Sequence, residues 1–412
     1  MSIGALNVRL RFAPDHTLSV GKLVLAQRDL VFEFDPAFLA SRLSISPFQL
    51  PLREGAQVFN RATAAGMELF GVFEDSLPDS WGRRVIDRHF QNTLQRPPTV
   101  LERLAFAGER AMGALTFHPP DEPAAAPETD LSLARLAEQA WDFDAEKIED
   151  ALPALRRVAG TSGGARPKVL LGLSGASPRI LAGDADLPDG YAHWIVKFNS
   201  RRDVKDSGAL EFAYAEMAAA AGADVPERRL IPCGKHRFFA TRRFDRPAPR
   251  ERLHLHSAAG LLHADFRTPG MEYAELFRLT DALTHDYAQK RELFRRACLN
   301  VLACNRDDHL KNFAFLMTPG GAWRLSPLFD FTFHPGINGW HTLGIAGEGE
   351  RPGRQHLMKL SRDVNLAAHD AKAIFEQVRS AVGGFGRLAK KLGLSARTAS
   401  QVQKRLAAQD LR

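Results

Sequence analysis

The chain has 412 residues, 45% of them hydrophobic, and 55 Lys and Arg against 48 Asp and Glu give a formal net charge of +7. This length and apolar content can bury a large core but exceed the usual size of one domain, so two or three domains are expected. The basic excess favours polyanionic partners such as ATP or nucleic acid. The sequence shows neither a long apolar run nor a signal peptide, which predicts a cytoplasmic protein with no membrane partner. The cysteines have no CxxC spacing, so neither a disulfide framework nor a zinc site is expected.

The amino-terminal part alternates apolar and polar residues over residues 8–34, which predicts a small antiparallel sheet. A Pro-rich passage, ISPFQLPL, and a helical passage, FGVFEDSLPDSWGRRVIDRHF, follow it. Residues 118–130, HPPDEPAAAPETD, concentrate Pro, Ala and acidic residues without apolar periodicity. Such a composition is typical of a linker. The sequence therefore predicts an amino-terminal domain over residues 1–118 and a linker over residues 119–130.

Beyond the linker, the glycine-rich segment GTSGGARPK leads into an apolar run that begins at Lys168. Glycines let a backbone approach phosphates closely and present its N–H groups to them. Because Lys168 precedes a strand rather than a helix, the segment is not a Walker loop. A second apolar run, HWIVKF, carries Lys197, and the Ala-rich helix predicted over SGALEFAYAEMAAAAG carries Glu211. An ion pair between Lys197 and Glu211 would hold the lysine toward nucleotide phosphates.

A further strand is predicted at RFFATRRF, and a helix with one apolar stripe is predicted before residue 304. The helix leads into CNRDDHLKN, in which Asp307 precedes Asn312 by the spacing of a protein-kinase catalytic loop. Apolar runs on either side of TPGG predict a β-hairpin, and the strand-like LFDF then carries Asp330. Phosphoryl transfer requires a carboxylate near the attacking hydroxyl and oxygen ligands for Mg²⁺. The alternative is a solvated turn, which Asp and Asn also favour.

These motifs also carry a family resemblance, because the chain resembles the HipA family of bacterial serine/threonine kinases. The amino-terminal part contributes FDPAFLA, ISPFQLPL, SLPDSWGRRVIDR and ERLAFAGERAMGALTF. The remainder contributes SGGARPK, WIVKF, RRFDR, HADFRTPGMEY, NRDDHLKN and SPLFDF. The resemblance implies an α+β, two-lobed protein-kinase-like fold with an additional small α/β amino-terminal domain. It also implies an ATP-binding lobe over residues 131–244 and a mainly helical catalytic lobe over residues 245–412.

By the same resemblance, Asp307 is the catalytic base, and Asn312 and Asp330 bind Mg²⁺. The residues implied to bind ATP are Gly163, Gly164, Ala165, Arg166, Pro167 and Lys168 of the phosphate loop, Lys197, Arg242, Arg243 and Phe244 of the hinge, and His309 and Lys311 beside the phosphates. Thr161 and Ser162 are candidates for autophosphorylation, which would eject the glycine loop from the ATP site. Asp308 stands where relatives have Gly, and it is interpreted as a spare acid or a helix-capping residue.

The resemblance implies the toxin of a toxin–antitoxin pair that uses ATP and Mg²⁺ to phosphorylate itself and a protein substrate. The family suggests an aminoacyl-tRNA synthetase as that substrate. A helix-turn-helix antitoxin of the HipB type would neutralise the kinase and provide its main contact with DNA. Two alternatives stay open: a small-molecule kinase of the aminoglycoside or lipid type, and a non-catalytic scaffold that binds a repressor.

Two further sequence features could be mistaken for sites. His254, His256 and His263 are interpreted as loop or interlobe residues rather than metal ligands, because no fourth ligand lies at a zinc spacing. The tail KKLGLSARTASQVQKRLAAQ has a helix-turn-helix character, but its pattern favours the last amphipathic helix pair of the helical lobe.

Overall fold

A computed structural model describes residues 3–27, 29–60, 62, 66–78, 80–119, 130–147, 153–159, 164, 166–200, 206–265 and 270–410. Most of the predicted linker lies outside the described residues. The chain forms two compact units. The first comprises Met1–Arg202, Cys233–Asp265 and Leu316–Ala322, and the second comprises Asp203–Pro232, Phe266–Phe315 and Trp323–Arg412.

The strands are β1 (Ala5–Ala13), β2 (His16–Ala26), β3 (Asp29–Phe34), β4 (Gln57–Val58), β5 (Leu115–His118), β6 (Lys168–Ser174), β7 (Leu181–Ala182), β8 (Tyr191–Lys197), β9 (Arg228–Cys233), β10 (His236–Arg242), β11 (His254–Ser257), β12 (Ala314–Met317) and β13 (Trp323–Leu325). The helices are α1 (Pro36–Ser41), α2 (Gly71–Glu74), α3 (Ser80–Leu94), α4 (Val100–Ala107), α5 (Leu133–Asp144), α6 (Pro153–Ala159), α7 (Ser207–Ala220), α8 (Ala258–Leu262), α9 (Tyr273–Thr284), α10 (Tyr287–Leu302), α11 (Arg354–Asp363), α12 (Ala368–Gly383), α13 (Phe385–Lys391) and α14 (Ala396–Asp410), with a 3-10 turn at Leu310–Asn312.

The predicted amino-terminal sheet is present, with strand order β4-β3-β2-β1-β5. Strands β1, β2 and β3 pair antiparallel in sequence order, and β5 pairs with the other edge of β1. Alternate side chains of β1, from Leu6 to Phe12, are buried, as the period of two in the sequence requires. The helical passage that follows forms α2 and α3, which are separated around Pro78 because proline disfavours the helical conformation of the residue before it.

A second sheet in the first unit contains β7, β6, β8 and β10 as successive neighbours. Its strands confirm the apolar runs predicted after the glycine-rich segment, at HWIVKF and at RFFATRRF. In the antiparallel register, Lys168 of β6 lies opposite Lys197 of β8, and Lys197 lies opposite Phe239 of β10. The two lysines singled out in the sequence are therefore cross-strand neighbours.

Buried ion pairs connect the segment after β10 with the amino-terminal sheet. The carboxylate of Asp245 accepts two hydrogen bonds from Arg243, at 3.0 and 2.7 Å, and one from Arg246 at 2.8 Å. It also accepts the N–H of Gly113 at 2.8 Å, and Arg246 donates to the carbonyl of Ala111 at 3.0 Å. Because Gly113 and Ala111 immediately precede β5, this cluster anchors the predicted hinge to the amino-terminal domain.

The second unit is mainly helical, and α10 forms its buried centre. The predicted apolar stripe of α10 is confirmed, since Leu293, Ala297 and Val301 are fully buried. The tail forms α13 and α14, and Val402 and Leu406 of α14 are buried, which confirms the amphipathic helix pair. Among the described helices, none combines the length and apolar character that crossing a bilayer requires.

Candidate functional site

Two of the nucleotide-binding residues predicted in the first unit, Lys168 and Lys197, lie in one row across its second sheet. Directly opposed residues of antiparallel strands place their side chains on the same face, so Lys168, Lys197 and Phe239 share a face. Lys168 is buried, and the Nζ of Lys197 lies 5.8 Å from the centroid of the Phe239 ring. Two lysines on one face of a sheet place two positive charges close together, as binding of a polyanion requires. The row is suited to a phosphate chain.

Two backbone hydrogen bonds, one on each side of Arg166, hold the described part of the predicted phosphate loop. Gly164 has φ +102°, a conformation that favours glycine, and its carbonyl accepts the N–H of Trp81 at 3.4 Å. The carbonyl of Pro167 accepts the N–H of Phe198 at 2.9 Å. Arg166, which lies between them, is half-buried. The predictions for Thr161, Ser162, Gly163 and Ala165 lie outside the described residues.

The predicted hinge has a structural role that the sequence did not indicate. The side chain of Arg243 is buried against Asp245, and its backbone N–H donates to the carbonyl of His193 at 2.8 Å. Burial opposes ionisation of Asp245, but the charges of Arg243 and Arg246 outweigh it and hold its pKa well below the usual range. Arg242 donates to the carbonyl of Pro247 at 3.2 Å. Adenine binding by the backbone of residues 242–244, Phe244 included, stays a prediction.

In the second unit, the predicted catalytic loop brings Asp307, His309 and Asn312 together. Asp307 keeps 49% of its side chain exposed, and the Nε2 of His309 lies 3.8 Å from its Oδ1. The 3-10 turn over Leu310–Asn312 folds the chain back, so that the Nδ2 of Asn312 donates to the backbone carbonyl of Asp307 at 2.8 Å. Lys311 lies in the same turn and is half-buried. The amide of Asn312 therefore contacts the backbone of the residue that carries the predicted base, five positions earlier.

The β-hairpin predicted around TPGG is confirmed by β12 and β13. The prediction of a strand at LFDF is wrong. Residues 328–331 belong to no strand, because the N–H of Leu328 donates to the carbonyl of Asp224 at 2.7 Å instead of to a neighbouring strand. Asp330 has φ +50°, the left-handed conformation that non-glycine residues rarely adopt. Such conformations concentrate at ligand-binding and active sites. The metal-binding role of Asp330 stays a prediction.

The interpretation of Asp308 as a spare or helix-capping acid is wrong. Its carboxylate is buried and accepts hydrogen bonds from Tyr273, His341 and the N–H of Thr342, and the residue that caps the 3-10 turn is His309. Sequence reasoning missed these three partners. They lie about 35 residues from Asp308 in either direction, and no local spacing relates them to it.

Glu211 lies on α7 and is buried, as are the neighbouring apolar residues of that helix. Lys197 belongs to the first unit and Glu211 to the second, so their ion pair stays a prediction.

The three histidines are structural, but two of them lie in β11 rather than in a loop. His254 hydrogen-bonds the carbonyl of Ile45 at 2.8 Å. The Nδ1 of His256 lies 2.7 Å from Asp75, and its Nε2 lies 3.0 Å from the hydroxyl of Ser46. These distances match a Ser-His-Asp triad, but Ser46 is only 1% exposed, so no substrate reaches it. His263, at the carboxyl end of α8, accepts the N–H of Gly71 at 2.9 Å.

Burial lowers the pKa of His254 to about 3 and that of His263 to about 4. Both rings therefore stay neutral near pH 7 and serve as uncharged hydrogen-bonding groups. Within the described ranges, no cluster of three or more His, Cys, Asp or Glu side chains is arranged to hold a metal ion.

Two family models match the chain, and together they cover most of it. The model of the HipA N-terminal domain matches residues 16–118, and that of the HipA-like C-terminal domain matches residues 160–384. Because the second match alone covers more than half of the 412 residues, the chain belongs to the HipA family.

Individual relatives are distant. The chain is 26% identical over 148 residues to the serine/threonine-protein kinase toxin HipA of Shewanella oneidensis, a match that covers 31% of this chain and 34% of the toxin. A Haemophilus influenzae protein is 29% identical over 136 residues, which are 29% of this chain and 39% of that protein. The aligned regions therefore span well under half the length of these relatives.

The solved structure of the Shewanella oneidensis MR-1 toxin–antitoxin complex of HipA, HipB and operator DNA contains a similar chain. The two chains superpose with a TM-score of 0.72 and 18% identity, over 98% of this chain and 96% of that one. At this identity the similarity shows the fold. The predicted α+β, two-lobed protein-kinase-like fold with an additional amino-terminal domain is thus confirmed.

Proposed function

We propose that the chain is an ATP-dependent serine/threonine protein kinase. The observation that carries this proposal is the hydrogen bond from the Asn312 amide to the backbone of Asp307, which holds a half-exposed carboxylate beside an oriented amide. Phosphoryl transfer by kinases depends on this pairing of a base with a metal-binding amide. Lys168 and Lys197, side by side on one sheet, support a site for the nucleotide phosphates.

The proposed reaction assigns one proton transfer to the protein. As the substrate hydroxyl oxygen bonds the γ-phosphorus, the bond from that phosphorus to the β,γ-bridging oxygen breaks and ADP leaves. The carboxylate of Asp307 accepts the hydroxyl proton, and its partial exposure leaves room for a substrate to approach. Lys168 and Lys197 orient the phosphates and offset their negative charge.

The chemistry of Asn312 and Asp330 fits a magnesium ion. Because the Asn312 amide donates through Nδ2, its Oδ1 is the atom that would bind a cation. Carbonyl and carboxylate oxygens are the ligands that Mg²⁺ prefers. Asn312 and Asp330 would hold the ion. When bound, Mg²⁺ neutralises charge that develops on the phosphate oxygens.

We further propose that the kinase acts as the toxin of a toxin–antitoxin pair in the cytoplasm, and that the domain ranges predicted above hold. Family membership supports this, as does the similarity in fold to a HipA chain solved with HipB and operator DNA. The proposed partners are a helix-turn-helix antitoxin and, through it, DNA. A protein such as an aminoacyl-tRNA synthetase is the proposed substrate.

One experiment separates the proposed function from the alternatives. The purified chain is incubated with Mg²⁺, γ-labelled ATP and a cell lysate, and the products are resolved as proteins and as small molecules. A labelled protein band that requires the added chain supports a protein kinase. A labelled metabolite would instead indicate a small-molecule kinase, and no transferred label would indicate a scaffold. The matched control is Asp307→Asn, which removes the proposed base with little change in shape.

A further inference from the structure

The catalytic loop has a buried anchor on each side of Asp307. Asn305 and Asp308 are 4% and 1% exposed, whereas the side chain of Asp307 between them is 49% exposed. The Oδ1 of Asp308 accepts the N–H of Thr342 at 2.8 Å. Its Oδ2 accepts the hydroxyl of Tyr273 at 3.0 Å and the Nδ1–H of His341 at 2.9 Å. A single carboxylate thus joins the catalytic loop to two distant parts of the second unit.

A chain of side chains connects the two anchors. Tyr273 accepts a hydrogen bond from the Nδ2 of Asn300 at 2.9 Å, and the Oδ1 of Asn300 accepts one from the Nδ2 of Asn305 at 2.9 Å. Burial, and then the charge of Asp308, raise the pKa of Tyr273 well above its usual range, so its hydroxyl keeps its proton and donates to Asp308. These hydrogen bonds link Asn305 to Asp308 continuously through Asn300 and Tyr273. Together with the backbone of residues 305–308, which carries Asp307, they form a closed ring.

The backbone of the loop is paired with the segment that follows Asp330. The N–H of Arg306 donates to the carbonyl of His334 at 3.2 Å, and the N–H of His334 donates to the carbonyl of Cys304 at 3.1 Å. The hydroxyl of Thr342 donates to the carbonyl of Arg306 at 3.3 Å. Cys304 fixes one end of the loop through its backbone, and Asp308 fixes the other end through its side chain. Loss of the Asp308 carboxylate would therefore release only the second end.

We propose that Asp308 is a positioning residue for phosphoryl transfer, which orients Asp307 by fixing the loop to Tyr273, His341 and Thr342. This inference rests on the proposed function. Asp308 does not touch a reacting atom. It acts through Asp307, whose carboxylate must stay within hydrogen-bonding reach of the substrate hydroxyl. Misplacement of a catalytic group by about 1 Å can lower a rate about 100-fold.

A role confined to folding would have a different signature. Breaking the hydrogen bonds of a buried carboxylate destabilises a protein wherever it lies, but the molecules that remain folded would then work normally. A positioning role lowers the turnover of the folded enzyme much more than its affinity for ATP, because the base acts in the chemical step, whereas Lys168 and Lys197 contribute to binding.

The test uses Asp308→Asn in the full chain, with γ-labelled Mg·ATP as the probe, the cell lysate as the source of the hydroxyl acceptor, and label transferred to protein as the readout. We expect kcat to fall about 100-fold while KM for ATP stays within about threefold. Hydrogen exchange should quicken in peptides that cover residues 304–309. Val378→Ala, which opens space in the buried face of α12, serves as a destabilised control and should keep its kcat.

A second pair of variants keeps the test decisive if Asp308→Asn folds poorly. The amide of His341→Asn can donate where the Nδ1 of His341 donates, whereas His341→Leu cannot. We expect His341→Asn to retain most of the kcat and His341→Leu to lose it. Normal kcat in Asp308→Asn, or equal kcat in the two His341 variants, would overturn the positioning role in an active enzyme. If the unaltered chain transfers no label to protein, the proposed function itself fails, and the positioning role fails with it.

Discussion

The buried ion-pair cluster around Asp245 allows a quantitative prediction about the hinge. In Asp245→Asn, the guanidinium groups of Arg243 and Arg246, whose side chains are 1% and 4% exposed, lose their counter-charge. Removing one partner of a buried ion pair costs about 3–5 kcal/mol, because the remaining charge is left uncompensated. We expect the free energy of unfolding of the first unit to fall by about that amount. Since Arg243 also belongs to the predicted hinge, ATP affinity should fall as well.

Urea unfolding measured by tryptophan fluorescence provides the assay, because Trp81 and Trp194 are buried in the first unit. The control is Asp144→Asn, which breaks the partly exposed ion pair between Arg84 and Asp144 of the same unit and should cost no more than about 1 kcal/mol. A loss below about 1 kcal/mol in Asp245→Asn would refute the reasoning, since it would mean that the cluster adds no more than a surface pair.

The lowered pKa of Asp245 also predicts how the stability difference between the unaltered chain and Asp245→Asn depends on pH. The folded-state pKa of Asp245 lies below its unfolded value, so its stabilising effect is complete above about pH 4 and is lost as pH falls through the folded-state pKa. The difference in unfolding free energy between the unaltered chain and Asp245→Asn should therefore be constant from about pH 7 to pH 5 and shrink at lower pH. A difference that grows on acidification would show that Asp245 is not the group responsible.

Three further predictions concern the proposed activity. Asp307→Asn should lower phosphoryl transfer by orders of magnitude and leave Mg·ATP binding intact, whereas Asp330→Asn should weaken both; full autophosphorylation in either variant would contradict the assignments. Mass spectrometry after incubation with Mg·ATP should find phosphate on Thr161 or Ser162 together with lost nucleotide binding, because the added charge of about −1.5 to −2 repels ATP; an unmodified loop in an active kinase would exclude this switch. The purified chain alone should bind DNA weakly and with strong salt dependence, and a sequence-specific, salt-tolerant complex would restore the helix-turn-helix interpretation of the tail.

Local patterns predicted the elements that carry Lys168, Lys197 and Glu211. Lys168 and Lys197 lie at the start and end of short apolar runs, and Glu211 lies in an Ala-rich run of high helix propensity. The local pattern at LFDF was not sufficient to predict its structure. Its short apolar run fits a strand, but a strand requires a partner, and the N–H of Leu328 instead donates to Asp224, far away in the sequence. Pairing of this kind is a property of the tertiary structure.

The two adjacent carboxylates of the predicted catalytic loop show why the sequence predicted the site only in part. Asp307 and Asp308 are chemically identical neighbours, and only the kinase spacing to Asn312 distinguished one of them in the sequence. In the structure, Asp307 is half-exposed and Asp308 is surrounded by donors from residues 33 to 35 positions away. The same group is therefore suited to act as a base where it is exposed, and as an anchor where donors enclose it. A sequence states the identity and spacing of the two acids, whereas burial and donors determine which role each one takes.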